Sequence, residues 1–132
     1  MNCFVDTSAF YALVDTNQAS HAIAAETWTG LLAHRGRIVT TSYVLLETLA
    51  LIQKRSGIKA VSQFQEIAYP ALEVVWVDQA AHEAGLLAVL TAGRRDLSLV
   101  DCVSFCVMRR LGLTTVLAFD PHFREQGFNC VP

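Results

Sequence analysis

The sequence is poor in the features that mark several common protein classes. Charged residues make up only 17% of its 132 residues and hydrophobic residues 53%, which excludes a disordered chain and favours one globular domain over residues 1–132. No apolar run reaches the roughly 18–20 residues of a membrane span. The first residues lack a basic region and a small-residue cleavage site. We therefore expect no signal peptide, no membrane partner and a cytoplasmic location.

Cysteine and histidine show no pattern typical of a disulfide framework or a zinc site. None of the four cysteines forms a Cys-x-x-Cys pair, and the four histidines have no zinc-ligand spacing. A chain with this much apolar sequence needs no disulfides to fold. We expect free, buried thiols.

Signatures of several enzyme classes are also missing. The chain contains no Gly-x-Gly-x-x-Gly, no phosphate-binding loop ending in Gly-Lys-Ser/Thr and no Gly-x-Ser-x-Gly elbow. Asp6-Thr7-Ser8 lacks the second aspartate, two residues on, that an aspartyl-phosphate phosphatase of the haloacid dehalogenase type needs. Nucleotide binding through these loops and serine hydrolysis are thereby disfavoured.

Short apolar segments alternate with longer helical patterns. We predict strands over 2–6, 37–41, 72–77, 114–119 and 128–131, and helices over 9–14, 18–34, 42–55, 58–68, 78–92 and 98–111. The expected N-caps are Thr7 or Ser8, then Ser42 and Asp78. This alternation predicts the α/β class, with a parallel sheet covered by helices on both faces.

Two acids, Asp6 and Asp120, stand at the carboxyl ends of predicted strands. In open parallel sheets a ligand site forms beyond these ends, at the point where the strand order reverses. Each acid also has a purely structural explanation. Asp6 could cap the helix that follows it, and Asp-Pro at 120–121 is a common helix start.

Two further acids lie on predicted helices with apolar surroundings. Glu47 shares a helix face with Tyr43, Val44 and Leu51, so we expect it within an apolar stripe. Asp101 is flanked by apolar residues from Leu97 to Phe105. Ser98 and Asp101 also fit a Ser-x-x-acid capping box, unless Asp96 caps that helix instead.

If the four acids converge, their like charges raise their pKa values unless a cation is present. Carboxylate oxygens are the ligands that Mg²⁺ and Mn²⁺ prefer, and such ions can activate water and polarise a phosphate. No histidine general base accompanies the acids, which fits this chemistry. We therefore predict that Asp6, Glu47, Asp101 and Asp120 are both the metal ligands and the catalytic residues of a site that cuts phosphodiesters.

The net charge of −2 initially argues against a nucleic-acid partner. Setting four of the twelve acids aside for one site leaves eight against ten Lys and Arg residues, a balance of +2. The basic residues occur partly in pairs, at 54–55, 94–95 and 109–110. These pairs are suited to phosphate contacts or to a solvated helix face, and the sequence does not choose between the two.

The order of these motifs resembles that of PIN-domain ribonucleases, specifically the VapC-type toxins of type II toxin–antitoxin pairs. The resemblance covers nearly the whole chain and is carried by Val5-Asp6-Thr7-Ser8-Ala9, by Asp15 with His21 and Ala24-Ala25, by Leu45-Leu46-Glu47-Thr48, by Leu97-Ser98-Leu99-Val100-Asp101 and by Phe119-Asp120-Pro121-His122-Phe123. Each motif is weak alone, but their order and spacing in a short chain are specific.

The resemblance implies a three-layer α/β/α sandwich and an Mg²⁺- or Mn²⁺-dependent endoribonuclease that cuts RNA. It implies that the four acids named above form the metal site, that Thr7 or Ser8 orients a water molecule there, and that His21 is structural. It also implies a homodimer and a cognate VapB-type antitoxin. The sequence departs from the family pattern at Ala118, two residues before Asp120, where many relatives carry Ser or Thr. The hydroxyl contact is lost here, which puts the role of Asp120 in question. The alternative hypothesis is a non-catalytic PIN-like module that binds a partner protein.

Overall fold

The computed structural model describes residues 1–132 and contains one β-sheet. Its strands are β1 (Cys3–Val5), β2 (Ile38–Thr41), β3 (Glu73–Val75), β4 (Thr115–Leu117) and β5 (Asn129–Val131). They lie in the order β3-β2-β1-β4-β5, and every neighbouring pair is parallel. The five predicted strands and their parallel arrangement are confirmed.

Seven α-helices connect and cover the strands, which makes a three-layer α/β/α fold. They are α1 (Thr7–Val14), α2 (His21–Ala33), α3 (Ser42–Ser56), α4 (Ile58–Ile67), α5 (Gln79–Ala92), α6 (Leu99–Leu111) and α7 (His122–Glu125), with a 3₁₀ turn at Tyr69–Ala71. None of these helices combines the length and the apolar character that a bilayer crossing requires.

The central strand β1 marks the point where the strand order reverses. From β1 the chain adds β2 and then β3 on one side, and it later adds β4 and β5 on the other. Phe4 pairs with Val39 of β2 and with Val116 of β4. The carboxyl ends of β1 and β4 therefore meet at the switch point, where parallel sheets place their ligand sites.

Aromatic side chains fix the helices against the sheet in two clusters. In one cluster Phe10 meets Phe64 at a ring-centroid distance of 5.2 Å and Trp28 at 6.4 Å. In the other, Phe123 of α7 meets Phe105 of α6 at 5.0 Å and Phe4 of β1 at 6.3 Å. Such edge and tilted contacts add to the burial of large apolar areas. The second cluster holds α6 and α7 beside the carboxyl end of β1.

One of the predicted caps is displaced by a single residue. Thr41, rather than Ser42, caps α3, because the Thr41 hydroxyl accepts the Val44 N–H at 3.1 Å. The Ser42 hydroxyl instead accepts the Val77 N–H at 2.9 Å and ties α3 to the chain after β3. Asp78 caps α5 as predicted, accepting the Ala81 N–H at 2.8 Å.

Two apolar segments are less buried than their sequences suggest. The apolar composition of 72–77 predicts a buried strand, but β3 lies at a sheet edge and Trp76 beyond it is 69% exposed. In α2 the buried residues are Ala24, Trp28 and Leu31, whereas Ile23 and Leu32 are exposed. Edge position and helix rotation depend on tertiary packing, which apolar composition alone does not reveal.

α5 and α6 lie close together at Gly85. A Cβ atom at Gly85 would lie 2.4 Å from Val103 Cγ2 and 3.2 Å from the Val103 backbone nitrogen, so the helices meet where one side chain is missing. Gly30 in α2 is different, because a Cβ atom there would meet nothing within 4 Å.

We expect Gly85→Ala to destabilise the protein by about 1–3 kcal/mol through overpacking against Val103, although alanine favours helix by about 1 kcal/mol. Gly30→Ala is the matched control and should gain up to about 1 kcal/mol, since it adds helix propensity without a clash. Urea unfolding of both variants measures the difference. A stabilised Gly85→Ala variant would contradict the close helix contact.

Candidate functional site

Asp6 follows β1 directly and is 2% exposed. It is the N-cap of α1: its Oδ2 accepts the Ser8 N–H at 3.3 Å and the Ser8 hydroxyl at 2.9 Å. The expectation that Thr7 or Ser8 caps α1 is wrong, because Thr7 is already the first helical residue and Asp6 retains an extended backbone.

Asp120 stands just beyond β4, next to β1 in the sheet. Its Oδ1 accepts the His122 N–H at 3.0 Å, which fixes the carboxylate where α7 begins. The Asp-Pro sequence suggested Asp120 as the N-cap of this helix, but the N-cap is Pro121, and Asp120 stands one residue before it. Its bond to the His122 N–H occupies one of its two carboxylate oxygens.

Asp101 lies in the first turn of α6 and forms the predicted capping box with Ser98. The Ser98 hydroxyl accepts the Asp101 N–H at 3.0 Å, and Asp101 Oδ2 accepts the Ser98 N–H at 3.3 Å. Asp96 does not cap α6, because its carboxylate pairs with Arg94.

Capping and cation binding are compatible in this site. Each of the three carboxylates gives one oxygen to a local backbone N–H: Oδ2 of Asp6, Oδ2 of Asp101 and Oδ1 of Asp120. The Asp6 and Asp120 carboxyls also lie within hydrogen-bond distance of each other, so that protonated Asp6 shares its proton with Asp120. The local bonds orient the carboxylates, and a cation bound between them would take the place of the shared proton.

Asp6, Asp101 and Asp120 converge at the switch point, with one oxygen of each within 4.8 Å of the others. Burial and, next, the negative charge of Asp120 raise the pKa of Asp6 well above its usual value. Burial is also the main cause that raises the pKa of Asp101, with a further contribution from Asp120. Three carboxylates at such separations suit a hard divalent cation, which would remove both the repulsion and the desolvation cost.

Ser8 connects the ends of β1 and β4. Its hydroxyl donates to Asp6 Oδ2 and accepts the Phe119 N–H at 3.0 Å. Ala118, 6% exposed, offers no hydroxyl, so Ser8 supplies the hydrogen bond that links Asp6 to the segment carrying Asp120. Sequence reasoning missed this link, because Ser8 and Phe119 lie 111 positions apart and no local pattern indicates it.

Thr7 and His21 have structural contacts. The Thr7 hydroxyl accepts a long hydrogen bond of 3.5 Å from the Thr48 hydroxyl, and both side chains are buried between α1 and α3. His21 Nδ1 lies 2.9 Å from the Ala12 carbonyl oxygen and ties the start of α2 to α1. The side chain of His21 thus fastens two helices together, in keeping with the structural role expected of it.

Glu47 is not part of the three-carboxylate group. It is exposed on α3 rather than enclosed by an apolar stripe. It borders a depression of about 290 Å³ lined by apolar side chains and by Tyr43, and Leu99 and Val100 of α6 form the opposite side. Glu47 therefore faces the residues that immediately precede Asp101, and its role as a ligand stays a prediction.

In each of the three basic pairs, one residue bonds to or lies over other side chains of the protein and its neighbour does not. Arg94 bonds to Asp96 and Glu125, Arg55 lies over the Tyr11 ring, and Arg109 lies over Phe128 and bonds to Gln126. The other member of each pair makes no ion pair or side-chain hydrogen bond: Lys54, Arg95 and Arg110. One residue of each pair is thus engaged with the protein, and one is free for an external anion.

The raised pKa of Asp6 predicts how metal-free protein responds to pH. The native state keeps this proton at pH values where the unfolded state has lost it, so the free energy of unfolding falls as pH rises above about 4, up to the native pKa. Asp6→Asn retains a capping oxygen and cannot ionise. In chelator it should exceed wild type in stability at pH 7 by about 1.4 kcal/mol per unit of pKa elevation, with the difference shrinking towards pH 4.

Asp15→Asn is the control for this measurement. Hydrogen bonds from the Asn17 N–H and then the Tyr11 hydroxyl lower the pKa of Asp15, so its stabilising contribution is lost as pH falls rather than as pH rises. Urea unfolding across this pH range distinguishes the two signs. An Asp6→Asn variant less stable than wild type at pH 7 would contradict the charge repulsion inferred for the site.

Comparison with known proteins agrees with this geometry. Residues 3–129 match the PIN domain family. The chain is 33% identical over 132 residues to a protein of Mycobacterium tuberculosis named 23S rRNA-specific endonuclease VapC20, with 95% of this chain and 94% of the relative covered. The same match occurs in a second strain of that organism.

Two solved structures share the fold. The crystal structure of M. tuberculosis VapC20, described as a Sarcin-Ricin loop cleaving toxin, superposes with a TM-score of 0.85 at 31% identity and covers 96% of both chains. A chain of Rickettsia felis VapBC2, bound to a DNA fragment from its promoter, gives a TM-score of 0.72 at 13% identity, over 99% of this chain and 98% of that one, which supports the fold alone. The chain belongs to the PIN-domain family and is a VapC-type member of it.

Proposed function

We propose that this protein is an endoribonuclease that depends on Mg²⁺ or Mn²⁺ and serves as the toxin of a toxin–antitoxin pair. The observation that carries the proposal is the convergence of Asp6, Asp101 and Asp120, with one oxygen of each within 4.8 Å of the others. A non-catalytic scaffold has no need of three carboxylates in mutual repulsion. The alternative of a protein-binding module is therefore disfavoured.

The three converging aspartates are the proposed metal ligands, and Glu47 is the proposed fourth acid at the rim of the site. A divalent cation bound there would lower the pKa of a water molecule and neutralise negative charge on the phosphodiester. Ser8 keeps the Asp6 carboxylate in one orientation through its bonds to Asp6 and to the Phe119 N–H. Glu47 is exposed, and it would add a fourth negative charge at the solvent-facing edge of the metal site.

The proposed substrate is 23S ribosomal RNA, and more narrowly its sarcin–ricin loop. The support is the name of the M. tuberculosis relative, which shares 33% identity over 95% of this chain, and the description of its crystal structure as that of a toxin cleaving this loop. Free basic side chains at Lys54, Arg95 and Arg110 are available for phosphate contacts that position RNA without reading its sequence. Such a substrate places the protein in the cytoplasm.

The proposed partners are a VapB-type antitoxin and a second copy of the chain. The apolar depression beside Glu47 offers Leu46, Ala50, Leu99 and Val100 to an antitoxin segment, close enough to the acids for a basic side chain of that segment to reach them. The homodimer rests on the VapC-type membership alone. Sedimentation of the isolated chain and of the chain with its antitoxin tests both.

We expect Asp101→Asn to lower RNA cleavage by more than about a hundredfold, because even residues that only support metal ligands cost 10–100-fold when changed. The asparagine can still accept the Ser98 N–H, so the fold should persist. Cleavage assays in Mn²⁺ and in chelator, together with melting temperatures, measure both effects. Mn²⁺ should raise the melting temperature of wild type and leave that of the variant unchanged.

Asp78→Asn is the matched control, since Asp78 also caps a helix but lies outside the three-carboxylate group. It should cleave RNA at the wild-type rate. The RNA cleavage rate of Glu47→Gln should lie between the rates of Asp101→Asn and Asp78→Asn, because Glu47 lies at the rim of the site. Wild-type cleavage by Asp101→Asn would refute the site, and cleavage in chelator would refute the metal requirement.

Purified 70S ribosomes test the substrate. We expect the wild-type protein with Mg²⁺ to cut 23S RNA at one position, mapped by primer extension, while 16S RNA in the same particles remains intact. Asp101→Asn supplies the inactive control. Cleavage of transfer RNA instead, with 23S RNA untouched, would overturn the substrate but leave the nuclease assignment in place.

A further inference from the structure

Arg94 bonds two carboxylates at once from the loop between α5 and α6. Its Nη2 and Nε donate to Asp96 Oδ2 and Oδ1 at 2.8 and 3.2 Å, and its Nη1 donates to Glu125 Oε2 at 2.8 Å. A planar guanidinium with several donors is suited to such a fork, in which the geometry of both partners is fixed.

The two carboxylates belong to the two segments that carry Asp101 and Asp120. Asp96 lies two residues before Ser98, which forms the capping box with Asp101. Glu125 ends α7, and the first residue of α7, His122, gives its N–H to Asp120 Oδ1. Arg94 therefore joins the segment that aims Asp101 to the segment that aims Asp120.

The other contacts between α6 and the α7 segment lie away from the Arg94–Glu125 ion pair. Phe105 and Phe123 fix α6 and α7 on the core side, and Arg109 bonds to Gln126 near the far end of α6. Arg94–Glu125 is the one ion pair that joins the loop before α6 to α7. No other ion pair holds the two segments together on the solvent side of the site.

We propose that Arg94 is a positioning residue for the metal site: through Glu125 it fixes the separation between the segments of Asp101 and Asp120. The inference rests on the proposed function, because it presumes that these aspartates share a cation. Residues that orient metal ligands without touching the metal typically affect metal affinity by 10–100-fold.

Arg95 provides a control with the same charge and almost the same place in the chain. It makes no ion pair or side-chain hydrogen bond. Removing a positive charge near three carboxylates should strengthen cation binding through the electrostatic term alone, whereas loss of ligand positioning should weaken it. The charge effect and the positioning effect thus have opposite signs, and Arg95→Ala reports the charge effect by itself.

The experiment is calorimetric titration of Mn²⁺ into wild type, Arg94→Ala, Arg95→Ala and Asp101→Asn, without RNA. We expect Arg95→Ala to bind Mn²⁺ as well as wild type or more tightly, and Arg94→Ala to bind roughly tenfold more weakly than Arg95→Ala. Exposed ion pairs contribute little to stability, so both variants should fold, and their melting temperatures in chelator check this. Equal Mn²⁺ affinities of Arg94→Ala and Arg95→Ala would overturn the inference.

A second set of variants tests the route through Glu125. In a Glu125→Ala background, which removes the acceptor as well as the charge, Arg94→Ala should weaken Mn²⁺ binding much less than it does in wild type, because the contact with Arg94 is already lost. Arg95→Ala should have the same effect in both backgrounds. An undiminished effect of Arg94→Ala in the Glu125→Ala background would show that Arg94 does not act through Glu125.

The titration separates failure of this inference from failure of the proposed function. If wild type binds no Mn²⁺, or binds it only as well as Asp101→Asn does, the metal site itself is wrong and both proposals fall. If wild type binds Mn²⁺ through Asp101 while Arg94→Ala matches Arg95→Ala, only the positioning role is lost.

Discussion

The mutual repulsion of three carboxylates at the switch point of the sheet is the constraint around which this structure is arranged. Asp6 is almost fully buried, and one of its oxygens lies within 4.8 Å of an oxygen of Asp101 and of Asp120. Isolated buried charges are costly, so a fold that places three together needs strong local restraints. Each aspartate has one, because each carboxylate also accepts a backbone N–H at the start of a helix.

The dual use of these acids explains why their sequence patterns are ambiguous. A capping box at Ser98–Asp101 and an Asp-Pro helix start at 120 are ordinary structural patterns. A cap and a metal ligand look like alternatives in the sequence, but one carboxylate has two oxygens and can serve both purposes. Capping restricts the side-chain rotamer, and the restricted carboxylates lie close enough together to share a cation.

Residues around the three aspartates hold the segments that carry them in place. Ser8 ties Asp6 to the backbone after β4, and Arg94 ties the segments before Asp101 and after Asp120 to each other. These contacts are polar, partly exposed and few. The aromatic cluster of Phe4, Phe105 and Phe123 provides the rigid support behind them, with α6, α7 and β1 meeting at one place.

The sequence by itself determined the alternation of strands and helices and the parallel α/β class, because these follow from hydrophobic periodicity and turn residues, and its motif order indicated four candidate acids, three of which the fold brings together. The tertiary structure alone decided which acids meet. Glu47 has apolar neighbours along α3, yet the orientation of α3 leaves it at the surface, and β3 is largely apolar yet lies at an edge. The Ser8–Phe119 and Arg94–Glu125 contacts span 111 and 31 residues, and no local pattern encodes them because they arise only when distant segments pack.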